Sequence, residues 1–286
     1  MSDKQAENTS GYNRSLITPD ENRRMFDNIS QRYDLLNRIM SVGLDRKWRR
    51  RAVDQLQVVI GGEYIDAGCG TGDLCIDILR RFPAGRIKVT GIDHSEAMLA
   101  KGKAKIAAAN KVARPLRRTG IFDSDRARSS RSTLRQEQEN NIFTDISTDD
   151  SATLICGDAT SLPFGDSTVD GVISGFVIRN ICDRNKALVE WHRVIKPGGR
   201  CVILELAVPE NPVMLFLYKA FTRILIPAAG ALFSKYRAYV YLIDSISAFP
   251  PPKVFEGMLE SAGFKDVRSE ALAFGTVRIY CGTKAA

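Results

Sequence analysis

The feature that most constrains the fold is a glycine-rich turn between a short apolar segment and an amphipathic one. The segment "EYIDAGCGTGDLCIDILRRF" covers residues 63–82 and places three glycines between two aspartates. These five residues are Asp66, Gly68, Gly70, Gly72 and Asp73. A strand that turns through glycines into a helix is how a parallel α/β sheet presents bare backbone to a ligand. The sequence therefore predicts a ligand-binding turn at this position.

Apolar and amphipathic segments alternate along the chain from Glu63 onward. "RIKVTGID", "ATLICGDA", "VDGVISGF" and "RCVILELA" have the character of strands, whereas "SEAMLAKGKAKIAAA" and "RNKALVEWHRVI" have that of helices. This alternation predicts an α/β fold with a doubly wound, mostly parallel sheet of seven strands. The closing segment "FKDVRSEALAFGTVRIYCGTK" predicts the last two strands, an antiparallel final hairpin at the sheet edge.

The change in pattern at Glu63 also divides the 286 residues into two parts. Residues 1–62 are expected to form an N-terminal tail and a helical lid, and residues 63–284 a ligand-binding domain. Within this domain, residues 113–150 are polar, basic first and acidic second, which predicts a disordered insertion or a partner-docking arm. Residues 211–249 are rich in aromatic and aliphatic side chains and predict two helices that cover an apolar site or touch a bilayer. Their Lys and Arg side chains argue against a membrane-spanning helix.

Composition indicates which kinds of partner and which cellular compartment to expect. Lys and Arg total 41 against 33 acidic residues, so the formal net charge is +8, which favours anionic partners without choosing among them. The six cysteines form no CxxC pair and there are only two histidines, so we expect reduced thiols and no metal site. The first residues contain no apolar run of the secretory type. We therefore expect a cytoplasmic protein.

The spacing of the loop glycines disfavours the common phosphate-binding motifs. A dinucleotide-binding turn has the spacing GxGxxG, but here Asp73 stands where the third glycine is required. A carboxylate there would repel a pyrophosphate at the N-terminus of the following helix. No GK[ST] sequence follows, so the turn is not a P-loop. A cationic ligand without phosphate, S-adenosylmethionine, fits this turn better.

Three successive predicted strands each end beside an aspartate. Ligands of parallel α/β sheets bind beyond the carboxyl ends of the strands. We expect Asp66 to take the ammonium group of S-adenosylmethionine and Asp93 to accept hydrogen bonds from both ribose hydroxyls. Asp158 is expected to accept a hydrogen bond from the adenine amine, while Ala159 leaves room for the ring.

Longer stretches carry a resemblance to a known family. The segment "GDATSLPFGDSTVDGVISGFVIRNICDRNKALVEWHRVIKPGGRCVILELAVP" and the lead-in "FDNISQRYDLLNRIMSVGLDRKWRR" resemble the ubiquinone/menaquinone biosynthesis C-methyltransferases. That family consists of class I S-adenosylmethionine-dependent enzymes with a Rossmann-like sheet, which methylate a ring carbon of a polyprenylated benzoquinol or naphthoquinol. The resemblance covers residues 24–112 and 151–284, and it implies the same fold, cofactor and reaction for this chain.

The resemblance also implies particular cofactor-binding residues. The family's positions fall on Thr71, Asp93, Asp158 and Ala159. A further cofactor position, usually serine in the family, falls on Gly175, whose neighbour is Ser174. The family commonly reads "FG-RN" where this chain reads "FVIRN", so we expect a tighter space beside the reactive centre.

A quinol carbon becomes nucleophilic when a neighbouring hydroxyl is deprotonated or polarised. Arg179 and Asn180 follow the fourth predicted strand. We expect Arg179 to stabilise the phenolate or orient a water molecule, and Asn180 to hold the hydroxyl. The alternative for Arg179 is a structural ion pair with a helix carboxylate such as Asp183. Tyr33 is expected to close over the methyl donor, unless it only packs within the lead-in.

The expected partners follow from the implied substrate. A polyprenylated quinol suggests peripheral contact with the inner face of the cytoplasmic membrane, and "RKWRRR" at residues 46–51 is either a membrane-surface patch or a solvated face. A homodimer or a complex of quinone-biosynthesis enzymes is a further expectation. Three alternatives remain open: a methyltransferase of another lipid or small molecule, a non-catalytic assembly subunit, and a basic RNA-associated protein. Nucleic acid is not expected, because residues 113–150 offer few aromatic side chains for base stacking.

Overall fold

A computed structural model describes residues 17–30, 34, 37–38, 41, 43–82, 87–118, 152–232 and 236–286. Its helices are α1 (Pro19–Ile29), α2 (Asp45–Leu56), α3 (Asp73–Arg81), α4 (Glu96–Arg118), α5 (Arg184–Val194), α6 (Pro212–Leu232), α7 (Tyr236–Ser247) and α8 (Pro252–Ser261). Its strands are β1 (Glu63–Ala67), β2 (Lys88–Asp93), β3 (Thr153–Cys156), β4 (Val169–Gly175), β5 (Ile195–Leu206), β6 (Lys265–Leu272) and β7 (Val277–Thr283). Single 3-10 turns occur at Ile178–Asn180 and Ala273–Gly275.

The seven strands form one sheet in the order β3-β2-β1-β4-β5-β7-β6. Strands β1 to β5 pair in parallel, and β7 runs antiparallel to both of its neighbours, β5 and β6. The strand order reverses between β1 and β4, which is where doubly wound sheets bind ligands. The predicted fold class is confirmed, including the antiparallel hairpin at one edge.

Helices cover both faces of the sheet. On one face, α2, α3 and α4 bury apolar side chains such as Leu56, Ile78 and Leu99 against the strands. On the other face, α5 and α8 contribute a core that contains Trp191 and Phe255, both 0% exposed. The sheet is therefore buried on its two sides, and only its edges and strand ends are left for function.

The N-terminal part contains helices, as expected, and α2 packs against the sheet. Thr18 and Glu21 form a reciprocal capping box at the start of α1, with Pro19 in its first turn. Helix α2 packs Val53 and Leu56 into the core on the face of the sheet that α3 and α4 also cover. The proposed division at residues 62 and 63 stays a prediction, but α2 shares the core of the sheet that follows it.

Two boundaries differ from the sequence expectation. Helix α4 continues to Arg118, so the segment 113–118, expected to begin a disordered insertion, is helical. Residues 119–150 of that insertion lie outside the described residues, as does Tyr33. The sequence "PGG" at residues 197–199 has the composition of a turn but lies inside β5, where the register with β4 is irregular between Val169 and Gly171. A short glycine-containing loop can bulge from a strand without ending it.

The two helices expected within residues 211–249 are present as α6 and α7. Among the described residues, no helix combines the length and the apolar character needed to cross a bilayer.

The glycine loop between β1 and α3 needs left-handed backbone. The φ angle is +79° at Gly68 and +76° at Gly72, a region that residues with a Cβ rarely adopt. The N–H groups of Gly68 and Cys69 both donate to the Ile92 carbonyl, at 2.7 and 2.9 Å, which ties the loop to the end of β2. A Cβ added at Gly68 would also lie 2.3 Å from Cγ1 of Val177. Backbone conformation and close packing both require glycine there.

We predict that Gly68→Ala destabilises the protein more than Gly198→Ala. Both glycines have a φ of +79°, but a Cβ at Gly198 would meet no atom within 4 Å. Left-handed backbone should cost each alanine about 1–2 kcal/mol of unfolding free energy. The clash with Val177 should add about 1–3 kcal/mol for Gly68→Ala alone. Urea unfolding followed by circular dichroism measures both, and equal losses would contradict the predicted clash.

Candidate active site

The carboxyl ends of the parallel strands bring the sequence-predicted residues to one edge of the sheet. Asp66 lies near the end of β1, Asp93 ends β2, and Gly175 ends β4. Asp158 follows β3, the edge strand on this side of the sheet. The candidate site is therefore a row of strand ends centred on the glycine loop.

Asp66 is the most deeply buried acid of this row, at 1% exposure. The thiol of Cys75 donates to its Oδ2 at 3.3 Å, while its Oδ1 is buried without a hydrogen-bond partner in the described part of the chain. Burial raises the pKa of Asp66 to about 7, and the charge of nearby Asp93 adds to the rise. An unpartnered buried acceptor is costly. A ligand that donates hydrogen bonds and carries positive charge would relieve this cost.

Asp93 joins the glycine loop to the end of β2. Its Oδ2 accepts the N–H of Gly70 at 2.8 Å, and its Oδ1 accepts the N–H of Ser95 at 2.9 Å. Burial raises the pKa of Asp93 in spite of these hydrogen bonds. Each carboxylate oxygen has a further lone pair, so both remain able to accept a ribose hydroxyl.

Asp73, the second aspartate beside the glycines, has both oxygens engaged. Its Oδ1 lies 2.8 Å from Nζ of Lys105, and its Oδ2 lies 3.2 Å from Nη2 of Arg49. Thr71 belongs to the same cluster, since its hydroxyl donates to Oδ1 of Asp34 at 2.7 Å. The charge of Asp73 is thus neutralised by protein cations.

Asp158 and Ala159 lie on the outer part of the row. The exposed carboxylate of Asp158 accepts hydrogen bonds from the backbone and the hydroxyl of Thr160, at 2.8 and 2.9 Å. The carbonyl of Ala159 accepts the indole N–H of the buried Trp191 at 2.8 Å. These contacts fix the turn, and the adenine contact of both residues stays a prediction.

Ser174 and Gly175 have packing partners at the end of β4. The hydroxyl of Ser174 is fully buried and donates to the Ala67 carbonyl at 2.7 Å, which joins β4 to β1. A Cβ added at Gly175 would lie 2.8 Å from Cδ1 of Leu74, so a serine would need Leu74 to move. Their contact with the cofactor remains a prediction beside these structural roles.

The turn after β4 is strained and close to the glycine loop. Phe176 has a φ of +62°, which costs a non-glycine residue about 1–3 kcal/mol and is common at functional sites. Val177 follows it and packs against Gly68. This contact is in line with the tight space that the "FVIRN" sequence predicts.

Arg179 is held by a buried acid on the next strand. Its Nη1 lies 2.6 Å from Oε1 of Glu205, which is 0% exposed, and donates to the Phe176 carbonyl at 2.6 Å. The alternative that paired Arg179 with Asp183 is wrong in its partner, because the Asp183 side chain accepts the N–H of Lys186 and caps α5. Nε of Arg179 is buried without a hydrogen-bond partner among the described residues.

Asn180 connects three parts of the chain. Its Oδ1 accepts the phenol of Tyr241 on α7 at 3.0 Å, and its carbonyl accepts Nδ2 of Asn22 on α1 at 2.9 Å. Its own Nδ2 is 3.5 Å from the Phe176 carbonyl, which is long for a hydrogen bond. This N–H therefore keeps the capacity to bind an incoming oxygen.

The two buried acids and the bare loop suit a cationic, hydroxyl-bearing ligand. Asp66 offers a free acceptor, Asp93 offers lone pairs, and the glycines let the ligand approach the backbone. A phosphate would meet repulsion from both carboxylates. The site thus fits the ammonium and ribose groups of S-adenosylmethionine.

Comparisons with known proteins show the family of this chain. Residues 17–116 and 132–284 match the model of the ubiE/COQ5 methyltransferase family. A ubiquinone/menaquinone biosynthesis C-methyltransferase UbiE from Geobacter sp. (strain M21) is 37% identical over 262 residues, which cover 92% of this chain and 95% of that protein. This chain belongs to the ubiE/COQ5 methyltransferase family. A demethylmenaquinone methyltransferase from Thermus thermophilus is 34% identical over 91% of this chain and 100% of its own.

Solved structures share the fold of this ubiE/COQ5 family member. A SAM-dependent methyltransferase from Thermotoga maritima has a TM-score of 0.56 at 15% identity and covers 92% of this chain and 99% of its own. A protein from Methanococcus maripaludis that is assigned as an S-adenosyl-L-methionine-dependent methyltransferase has a TM-score of 0.55 at 16% identity and covers 91% of this chain and 94% of its own. The expected family and enzyme class are confirmed, and S-adenosyl-L-methionine is the methyl donor that family and fold imply.

Several residues of the site were missed from the sequence. Glu205 had a signal, since it is a lone acid inside the apolar run "RCVILELA" and such an acid needs a buried partner. Asn22, Lys105 and Tyr241 had none, because each reaches the site from a distant element. The Oδ1 of Asn22 is also buried without a partner in the described chain.

We predict that Asp66→Asn weakens S-adenosyl-L-methionine binding by about tenfold or more, since a charge-assisted hydrogen bond contributes about 1.5–3 kcal/mol. The same variant should have a higher free energy of unfolding than the wild type. The native pKa of Asp66 is raised from 3.8 to about 7, so its ionisation destabilises the native state as the pH rises through that window. The stability advantage should therefore grow between those pH values and then level off.

Calorimetry measures the affinity, and urea unfolding across the same pH range measures the stability. Asp20→Asn is the control, because that side chain is 76% exposed on α1. An advantage of Asp66→Asn that does not depend on pH would contradict the raised pKa.

Proposed function

We propose that this protein transfers a methyl group from S-adenosyl-L-methionine to a ring carbon of a polyprenylated quinol. The substrate is demethylmenaquinol, the 2-polyprenyl-6-methoxy-1,4-benzoquinol of ubiquinone biosynthesis, or both. The observation that carries the proposal is the buried Oδ1 of Asp66 beside the glycine loop, which no described residue hydrogen-bonds. The names of the relatives, UbiE and demethylmenaquinone methyltransferase, support the quinol substrate.

The cofactor half of the site would bind and orient the donor. Asp66 would hold the ammonium group, Asp93 the ribose hydroxyls, and the loop from Gly68 to Gly72 would contact the amino-acid part. Thr71, Asp158, Ala159, Ser174 and Gly175 are the further proposed cofactor residues. When bound, the donor supplies an electrophilic methyl group on a sulfonium. Alignment with the ring carbon can lower the barrier by about 7–11 kcal/mol.

The reactive half lies at the turn after β4. Asn180 would donate its Nδ2–H to the quinol hydroxyl next to the reacting carbon, because that N–H has only a 3.5 Å contact with Phe176. Arg179 would stabilise the phenolate by its charge or orient a water molecule that takes the hydroxyl proton, and its bonds to Glu205 and Phe176 hold the turn in place. The ring carbon would bond the methyl as the carbon–sulfur bond breaks, sulfur would leave as a neutral thioether, and the proton of that ring carbon would pass to water. Tyr33 is proposed as a third contact and lies outside the described residues.

We predict that the gene restores quinone methylation in cells that lack their own enzyme. Mass spectrometry of extracted quinones should show the methylated menaquinone or ubiquinone intermediate, and should identify the ring that is accepted. Asp93→Ala is the matched negative control, since its loss removes the ribose contact and the bond to Gly70. Binding of the donor without any methylated quinone would favour another small-molecule substrate instead.

An exposed apolar face beside the site supports the expected membrane contact. On α6, Phe216 is 71% exposed and Val213 is 61% exposed, and Phe274 in the turn before β7 is 83% exposed. The turn and the segment before α6 are neighbours, because the N–H of Ala207 donates to the Thr276 carbonyl at 2.9 Å. The segment before α6 follows the end of β5, and the turn precedes the start of β7. These two strand ends are paired and lie at the same edge of the sheet as the active site.

Basic residues accompany this face. Lys219 lies one helical turn after Phe216 and is exposed, and Arg223 lies a further turn along and is also exposed. Aromatic and basic side chains on one helix suit the interface of an anionic bilayer. A protein docked in this way would take a lipid-tailed quinol from the membrane, on the cytoplasmic side.

We predict that Phe216→Ser combined with Phe274→Ser reduces binding to anionic phospholipid vesicles by at least about tenfold. Each Phe side chain that leaves water for the bilayer contributes about 1.5–3 kcal/mol. Activity on a quinol carried in vesicles should fall, whereas activity on a short-tailed, water-soluble quinol should not. Ile60→Ser is the control, because Ile60 is 65% exposed and precedes β1 at the opposite edge of the sheet. Unchanged vesicle binding together with the loss of a homodimer would assign this face to self-association.

A further inference from the structure

One connected cluster of charges links the glycine loop to three other parts of the chain. Its centre is Lys105 on α4, whose side chain is 30% exposed. Its ammonium lies 2.8 Å from the hydroxyl of Thr71, 2.8 Å from Oδ1 of Asp73 and 2.7 Å from Oδ2 of Asp34. An ammonium group has three N–H donors. The three acceptors therefore use the whole hydrogen-bonding capacity of Lys105.

This arrangement determines the direction of the Thr71 hydroxyl. Its oxygen accepts from Lys105, and its hydrogen is donated to Oδ1 of Asp34 at 2.7 Å. Thr71 itself is only 2% exposed. The hydrogen bonds from Lys105 and Thr71 outweigh burial and lower the pKa of Asp34, so this carboxylate stays ionised and bound to both. The loop residue is thus held from two sides.

The cluster is anchored by a second cation. Arg49 on α2 lies 3.2 Å from Oδ2 of Asp73, and its Nη1 lies 2.6 Å from Oδ2 of Asp45. Both side chains of the Arg49–Asp45 pair are less than a tenth exposed, at 9% and 7%. Buried ion pairs of this kind fix a single geometry when every partner is present. Asp73 therefore connects a rigid part of the core to Lys105.

We propose that Lys105 is a positioning residue of the cofactor site, which fixes the hydroxyl of Thr71 and holds Asp34 against the glycine loop. The inference rests on the proposed methyl donor and adds a residue that would act on the site through Thr71 and Asp34. Removing the ammonium leaves the Thr71 hydroxyl held by Asp34 alone and leaves Asp34 and Asp73 without their shared cation. Donor binding must then supply the order that Lys105 supplies in the wild type, so affinity falls.

The test is calorimetric binding of S-adenosyl-L-methionine to Lys105→Met, Asp34→Asn and the double variant. Lys105→Met should raise the dissociation constant about tenfold, within the usual range of coupling between sites. The double variant should lose less affinity than the sum of the two single losses, because both changes break the same Lys105–Asp34 pair. Lys103→Met is the matched control on α4, since that lysine is exposed, and it should bind as the wild type does.

Steady-state kinetics and melting curves separate positioning from general stability. We expect a higher KM for the donor, a KM for the quinol within about twofold of wild type, and substantial recovery in Lys105→Arg. The rise in melting temperature caused by the donor should shrink in Lys105→Met. If Lys105→Met fails to fold, Asp34→Asn and Lys105→Arg give the same comparison.

The outcomes are distinct. Wild-type affinity in a folded Lys105→Met, or additive effects in the double variant, would overturn the role of Lys105 and leave the proposed function standing. Absence of donor binding by the wild type would overturn the proposed function and this inference with it.

Discussion

The buried carboxylate of Asp66 is the constraint on which the rest of the site depends. Its strand, β1, is paired on both sides, with β2 and β4, so the acid cannot move toward water without breaking the centre of the sheet. Burial raises the pKa of Asp66, and its Oδ1 has no hydrogen-bond partner among the described residues. The core tolerates this cost because helices bury apolar side chains on both faces of the sheet. A destabilising group that the surrounding structure holds in place is common at binding sites.

The N-terminal segment belongs to the site although it precedes the sheet in sequence. Asn22 bonds the carbonyl of Asn180, and Asp34 bonds Thr71. Asp27 accepts a short hydrogen bond from the hydroxyl of Ser95, directly after β2. The segment therefore contacts the cofactor half and the reactive half of the site together. This arrangement gives a physical reason for the lead-in motif that resembles the family.

Local sequence patterns predict most of the fold and part of the site. The contacts that they do not predict join residues far apart in the sequence. The strands, the glycine loop and the place of Asp66 and Asp93 follow from periodicity and from the rule for strand ends. The role of Asp73 did not, because its partners Lys105 and Arg49 come from α4 and α2. The partner of Arg179 was misjudged for the same reason. Helix α4 runs into a polar segment although Pro115 lacks a helical N–H donor, because the other residues of 113–118 are Ala, Leu and Arg, which favour helix.

The contact between Gly68 and Val177 has a consequence for the order in which the family can change its sequence. Two obstacles, the left-handed backbone and the valine methyl, stand against any larger residue at position 68. Position 177 meets no such double obstacle, so a smaller residue there is tolerated at once. A residue larger than glycine at position 68 therefore requires a smaller residue at position 177 first. As long as Val177 is present, the substitution at position 68 meets both obstacles.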